Sequence, residues 1–204
     1  MKKSNIFFDL DGTLLDSRKR LYDLFQELVG QSELSFKEYW SIKRQRVNQH
    51  DLLTTKFNYS PDQINHFKEL WLTRIEEEER LKQDTPFPFS LSLLEELNKN
   101  YNLFVVTNRQ SYDKAYKQIG EYKWTKYLQA ILVTEHKTTK AELINQSVKH
   151  KPKDIIVGDT GEDIMAGKEL GLKTFAVLSG ILSREVLEEY KPDKIVNYAY
   201  EIIE

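Results

Sequence analysis

Short apolar runs and helically spaced stripes alternate along the chain. The first run, Ile6-Phe7-Phe8, is long enough for a strand buried on both faces. It stops at Asp9-Leu10-Asp11-Gly12, where two carboxylates spaced by one residue precede a Gly suited to a tight turn. From Leu21 the pattern becomes helical: Leu21, Leu24, Phe25, Leu28 and Val29 share one stripe, and Phe36, Tyr39 and Trp40 begin a second after Gly30. Ser60-Pro61-Asp62 opens a third helix with Ile64, Phe67, Trp71 and Ile75 on one face, ending in the charged run Glu76 to Arg80. The aromatic stripes of this all-helical stretch, residues 18–82, read as core, and its acidic run as a solvated face.

Asp84-Thr85-Pro86-Phe87-Pro88-Phe89 breaks the helical pattern and reads as a hinge, because each Pro removes a backbone donor and restricts its predecessor. Beyond it, strands are predicted at 102–106, 130–133, 154–157, 173–177 and 195–196. Helices are predicted near 90–99 and at 111–120, 139–149, 162–170 and 183–190. Strands that are continuous apolar runs, alternating with helices, call for a parallel sheet covered on both faces, an α/β fold.

Composition removes several function classes. The 204 residues suffice for one large domain or a core with an insertion. Thirty Lys and Arg against 32 Asp and Glu give a net charge of −2, so nothing advertises nucleic acid. No run approaches the roughly 20 apolar residues of a membrane span, and the opening Met1-Lys2-Lys3-Ser4-Asn5 leads into a strand rather than a signal peptide, so a cytoplasmic protein is expected. With no Cys, metal chemistry falls to oxygen or imidazole ligands. His50 and His66 lie in the helical stretch and read as structural.

Four polar clusters fall at strand ends, where open parallel sheets bind ligands. Asp9 and Asp11 form the first, although acidic residues and Gly also simply terminate strands. Thr107-Asn108-Arg109 follows the run Phe104-Val105-Val106, with a helix cap as the plain alternative. Gly158-Asp159-Thr160-Gly161-Glu162-Asp163 follows Ile155-Ile156-Val157 and offers two carboxylates, the second equally readable as a charge complementing a helix dipole. Between them, Thr139 and Glu142 fit a capping box that sets Lys140 at a first helical position. A cation is unfavourable there unless an anion sits in front of it.

The order Asp-x-Asp-Gly-Thr, Thr-Asn, Lys, Gly-Asp-Thr-x-x-Asp resembles the haloacid dehalogenase-like (HAD) hydrolase superfamily, near its phosphoglycolate phosphatase-like branch. The resemblance spans essentially the whole chain. It implies a Rossmann-like three-layer core, residues 1–17 and 83–204, with a helical cap, residues 18–82, inserted after the first strand. It further implies Asp9 as nucleophile, Asp11 as general acid and base, and Thr107, Asn108 and Lys140 at the phosphate. Mg²⁺ would be held by Asp9, a backbone oxygen of Asp11 and Asp159, with Asp163 supporting the metal or the Lys.

Those residue types belong together chemically. A carboxylate attacking a phosphate dianion meets repulsion of roughly 4 kcal/mol per charge pair at about 4 Å and an effective dielectric of about 20. A divalent cation, a Lys and a Thr offset that charge, and one carboxyl can move the proton in both half-reactions.

The expectation is a magnesium-dependent phosphatase acting on a small phosphorylated metabolite, with neither nucleic acid nor membrane as partner. The alternatives are a phosphomutase of the same architecture and a non-enzymatic phosphoacceptor or regulatory protein. The chain departs from the family twice. Lys137-Thr138 and Lys140-Ala141 lack the common Lys-Pro step, with Lys140 favoured over Lys137 because it opens the helix directly. Arg109 stands where Lys is frequent, either near the phosphate or on the surface.

Overall fold

A computed structural model describes residues 3–203; Met1 and Lys2 of the expected strand lead-in, and Glu204, lie outside the described residues. The chain begins with β1 (Ser4–Phe8) and β2 (Leu15–Asp16), then enters α1 (Arg18–Leu28), α2 (Phe36–Arg44), α3 (Gln49–Phe57), α4 (Pro61–Arg74) and α5 (Glu78–Leu81). It returns through β3 (Thr85–Pro86) to α6 (Ser90–Leu97), β4 (Tyr101–Thr107), α7 (Tyr112–Glu121), β5 (Leu128–Val133) and α8 (Lys140–Ser147). The sequence ends with β6 (Ile155–Gly158), α9 (Gly161–Glu169), β7 (Lys173–Val177), α10 (Arg184–Glu189), β8 (Lys194–Val196) and a short 3₁₀ segment.

Six strands form one sheet in the order β5-β4-β1-β6-β7-β8, every pairing parallel. β1 lies in the middle, with Phe8 opposite Val105 on one side and Val157 on the other. Its side chains therefore go to two separate cores, which is why its sequence does not alternate. Ile6 and Phe8 join Leu94, Val105 and Ile119 on one face, while Phe7 meets Phe104, Ile144 and Ile156 on the other. The expected parallel α/β core is the one observed.

The helices α1–α4 bury a core of their own around Phe25, Tyr39, Leu53 and Phe67, so the aromatic stripes do pack as core. Ser35 with Glu38 and Ser60 with Gln63 form capping boxes that start α2 and α4, with Pro61 at the first turn of α4.

Three details differ from the expectation. Helix α3 lies between the second and third stripes and buries only Leu52 and Leu53, too short a face to produce a clear period. The third helix stops at Arg74, part of the charged run forms the separate α5, and the run is not all a solvated face: Glu76 and Arg80 are buried, Glu76 accepting from the Gln110 N–H and Arg80 pairing with Glu27. The Pro-containing hinge includes a strand: β3 pairs antiparallel with β2, Leu15 opposite Pro86 and Asp16 opposite Thr85. That two-residue ribbon ties together the points where the chain leaves and re-enters the core.

Candidate active site

Four strand ends deliver the polar clusters to one edge of the sheet. Asp9 follows β1 directly, and its N–H donates to the Val157 carbonyl at 2.8 Å, continuing the ladder to the last residue before the turn. Gly12 takes a φ of 86° in that turn, a left-handed conformation in which a side chain is strained. A Cβ there would also lie 2.5 Å from Asp159 Oδ2, so the close approach of the β1 and β6 loops requires Gly.

Lys140 joins the clusters. Its Nζ donates to Asp9 Oδ1 and to Asp163 Oδ1, both at 2.5 Å, and all three residues are buried. The capping box of Thr139 and Glu142 is present, and the cation at the first position of α8 does have anions in front of it. Asp163 closes a second box: its Oδ2 accepts from the N–H and hydroxyl of Thr160 at 3.1 and 2.7 Å. Both Asp163 oxygens are thus engaged within the protein. Lys137 instead pairs on the surface with Glu135.

Asp159 is 2% exposed. Its Oδ2 accepts from the Ile181 N–H at 2.6 Å, whereas its Oδ1 is buried with no hydrogen-bond partner among the described residues. Burial and the neighbouring Asp163 raise its pKa to about 7. Burial also pushes Asp9 well above the carboxylate range, against the pull of Lys140. Lys140 moves upward, its burial outweighed by Asp163 and Asp9.

One oxygen from each of Asp9, Asp159 and Asp163 falls within a 4.8 Å cluster. Three carboxylates facing a single ammonium leave two negative charges uncompensated in a buried place, which is costly without a cation. The all-oxygen donor set and the orphaned Asp159 oxygen fit a hard divalent ion.

Asp11 points into the cavity, its side chain 27% exposed. Arg109 donates to both its oxygens, from Nε at 2.6 Å and Nη2 at 2.8 Å, and Arg20 of α1 adds Nη2 at 2.7 Å. Although burial works the other way, these two guanidiniums hold the carboxyl well below its usual range. The same two arginines share Asp84, whose buried carboxyl accepts from Arg20 Nε at 2.8 Å and Arg109 Nη2 at 3.0 Å. Arg109 is therefore neither at the surface nor an ordinary loop charge.

Thr107 ends β4 fully buried, and Asn108, half-buried beside it, hydrogen-bonds Glu162. Neither caps α7, whose N-cap is Ser111.

A cavity of about 290 Å³ opens between this edge and the helices, lined below by Asp9, Asp11, Thr107, Lys140 and Asp159. Arg44 of α2 fixes the opposite rim, donating to the carbonyls of Leu178 and Gly180 at 3.2 and 3.1 Å. His50 and His66 are exposed on the helices and do not line the cavity; His136 of the β5–α8 loop does. Sequence reasoning missed Arg20, Asp84 and His136, and for the first two no local pattern signals a partner 64 residues away.

A parallel sheet that gathers buried carboxylates, one buried Lys and a Thr at its carboxyl edge, beneath inserted helices, defines a Rossmann-like α/β protein with a charged site where open sheets bind ligands. The chain belongs to the haloacid dehalogenase-like hydrolases, whose family model matches residues 6–177.

Among its relatives is the pyrophosphatase PpaX of Oceanobacillus iheyensis, 26% identical over 100% of this chain and 96% of that protein. A haloacid dehalogenase-like family hydrolase from Streptococcus pneumoniae superposes with a TM-score of 0.80 at 25% identity, covering 98% of this chain and 97% of that one. A predicted phosphoglycolate phosphatase from Haemophilus somnus shares the fold, with a TM-score of 0.74 at 21% identity over 100% and 97% of the two chains.

Proposed function

We propose that the protein is a magnesium-dependent phosphatase that hydrolyses a small phosphorylated metabolite through a phosphoenzyme on Asp9. The observation that carries this reading is Lys140 bridging Asp9 and Asp163 beside the unpartnered oxygen of Asp159. That arrangement holds a nucleophile, an anion-binding cation and a carboxylate oxygen not engaged by the described residues in one buried cluster. Membership of a hydrolase family and relatives named as phosphatases support it.

In this reading Asp9 and Asp159 would hold the magnesium together with the backbone carbonyl of Asp11. Asp163, its oxygens spent on Lys140 and Thr160, acts by orienting the Lys. When bound, the ion neutralises charge between the carboxylates and the phosphoryl oxygens. Lys140, Thr107 and Asn108 hold the remaining phosphoryl oxygens.

An Asp9 oxygen attacks phosphorus, the ester bond breaks, and Asp11 gives its proton to the departing alcohol oxygen. Water then attacks the phosphorus of the acyl phosphate, giving one of its protons to the Asp11 carboxylate, and phosphate leaves as the P–O bond to Asp9 breaks. The pairing with Arg20 and Arg109 favours the Asp11 carboxylate, so for the first step this contact loosens as substrate enters and Asp11 takes up a proton from solvent. Residues 18–82 act as the cap over the reaction and residues 1–17 with 83–204 as the catalytic core.

Phosphate release from p-nitrophenyl phosphate with magnesium tests the reading. Turnover that stops on chelation and returns with magnesium is expected; turnover indifferent to chelator contradicts the metal assignment, and none on any phosphoester contradicts the activity.

A further inference from the structure

Resting on that reading, we propose that the substrate's alcohol half is uncharged and carries a flat ring, a nucleoside 5′-monophosphate being the class that fits, rather than a second anionic group.

Electrostatics supplies the first argument. Every Lys or Arg lining the cavity is already matched by carboxylates. Arg18 pairs with Asp16 at 2.5 Å, Arg20 and Arg109 share Asp11 and Asp84, and Lys140 holds Asp9 and Asp163. Arg109 Nη1 has no acceptor among the described residues, but the charge it belongs to faces two carboxylates at 3.0 Å or less. Glu76 and Glu162 also line the walls. Once Lys140 and a metal are committed to the transferred phosphoryl group and Asp11 carries its proton, Arg20 and Arg109 still face the buried Asp84 and Glu76, so the cavity offers no surplus cation for a second phosphate or a carboxylate.

The helical wall supplies the second. Leu21, Trp40, Trp71, Leu72 and Ile75 line the cavity from above, with Ile181 at the rim. Each indole is braced by a parallel ring, Phe36 against Trp40 at 7° and Phe67 against Trp71 at 20°, so its plane is fixed before a ligand arrives. The two Trp residues are cap core and cavity wall at once. Trp40 is 7% exposed, and its Nε1 is a buried donor with no hydrogen-bond partner among the described residues. An inorganic or two-carbon leaving group would leave such a wall unused.

Phosphate release is compared among nucleoside 5′-monophosphates, ribose 5-phosphate and inorganic pyrophosphate, in wild type and Trp71→Ala, with magnesium. At least one nucleotide is expected to exceed the other two in kcat/KM by about tenfold or more, the scale of two aromatic contacts. Trp71→Ala should shrink the nucleotide to ribose 5-phosphate ratio several-fold. Equal or better turnover of ribose 5-phosphate or pyrophosphate overturns the proposal, as does an unchanged ratio in the variant. If no phosphoester at all is hydrolysed, the phosphatase reading has failed separately. Tryptophan fluorescence of the wild type then reads the cavity alone: quenching by a nucleotide and not by ribose 5-phosphate supports the ring site, and quenching by neither overturns it.

Discussion

Arg109 grips Asp11 with both arms of its fork, Nε to one carboxylate oxygen at 2.6 Å and Nη2 to the other at 2.8 Å. Through Nη2 it also reaches Asp84, whose side chain is fully buried and whose second oxygen accepts from Arg20. Two arginines and two carboxylates thus connect α1, the β3 approach and the β4 end in one charged cluster beneath the cavity.

Arg109→Ala leaves Asp84 with a single cationic partner and Asp11 with one fewer. Removing one member of a buried pair costs about 3–5 kcal/mol, so urea unfolding should shift by that order. Arg109→Lys should recover only part, because an ammonium cannot reproduce the two parallel bonds.

Gly180→Ala tests the support of Asp159. A Cβ at Gly180 meets the Asp159 carboxylate itself, which has no room to retreat while held by the Ile181 N–H. The expected outcome is a magnesium affinity lowered by about 10–100-fold, the usual cost of disturbing a ligand's support, with the secondary structure intact. Calorimetric titration with magnesium provides the check.

The raised pKa of Asp159 has a definite sign in stability. Its folded value of about 7 stands above an unfolded value of about 3.9, so the native state holds the extra proton between them. The contribution is fully present below about pH 4 and is lost as pH rises through about 7, on the order of 4 kcal/mol at most. Chelator-treated protein should therefore lose stability in urea between pH 5 and 8. Asp159→Asn should flatten the decline, and magnesium should stabilise more at pH 8 than at pH 5.

Lys43 offers a stability change in the helical region. It is buried in α2 with its Nζ donating to the Val47 carbonyl at 2.7 Å, and burial lowers its pKa to about 8 despite Asp51. The cost of holding it charged is present below about pH 8 and vanishes above its unfolded value of about 10.4. Lys43→Met should raise stability at pH 7 by about 1–2 kcal/mol after the lost hydrogen bond is counted, and the gain should disappear near pH 10.5. Thermal melts at the two pH values decide it.

The core was legible because each sheet strand is a short apolar run with a polar punctuation: Ile155-Ile156-Val157 before Gly158 is unmistakable, and β7 matches its expected span. Lys140 was legible through a misfit, a cation placed where a helix dipole disfavours it. Helix α3 escaped because two buried leucines do not make a period, and β2 with β3 because two-residue strands have no pattern. Arg20 and Asp84 were illegible for another reason. Their meaning lies in a contact between α1 and the return strand, and single residues on surface-like stretches do not announce distant partners.

The central claim concerns Asp9, and mass spectrometry of an acid-quenched reaction addresses it most directly. Wild-type protein mixed with magnesium and p-nitrophenyl phosphate is predicted to carry one phosphoryl group on the peptide containing Asp9, chased by time and absent from Asp9→Asn, which should not turn over. A phosphoryl group on another residue, or an Asp9→Asn variant that keeps wild-type turnover, would contradict the account.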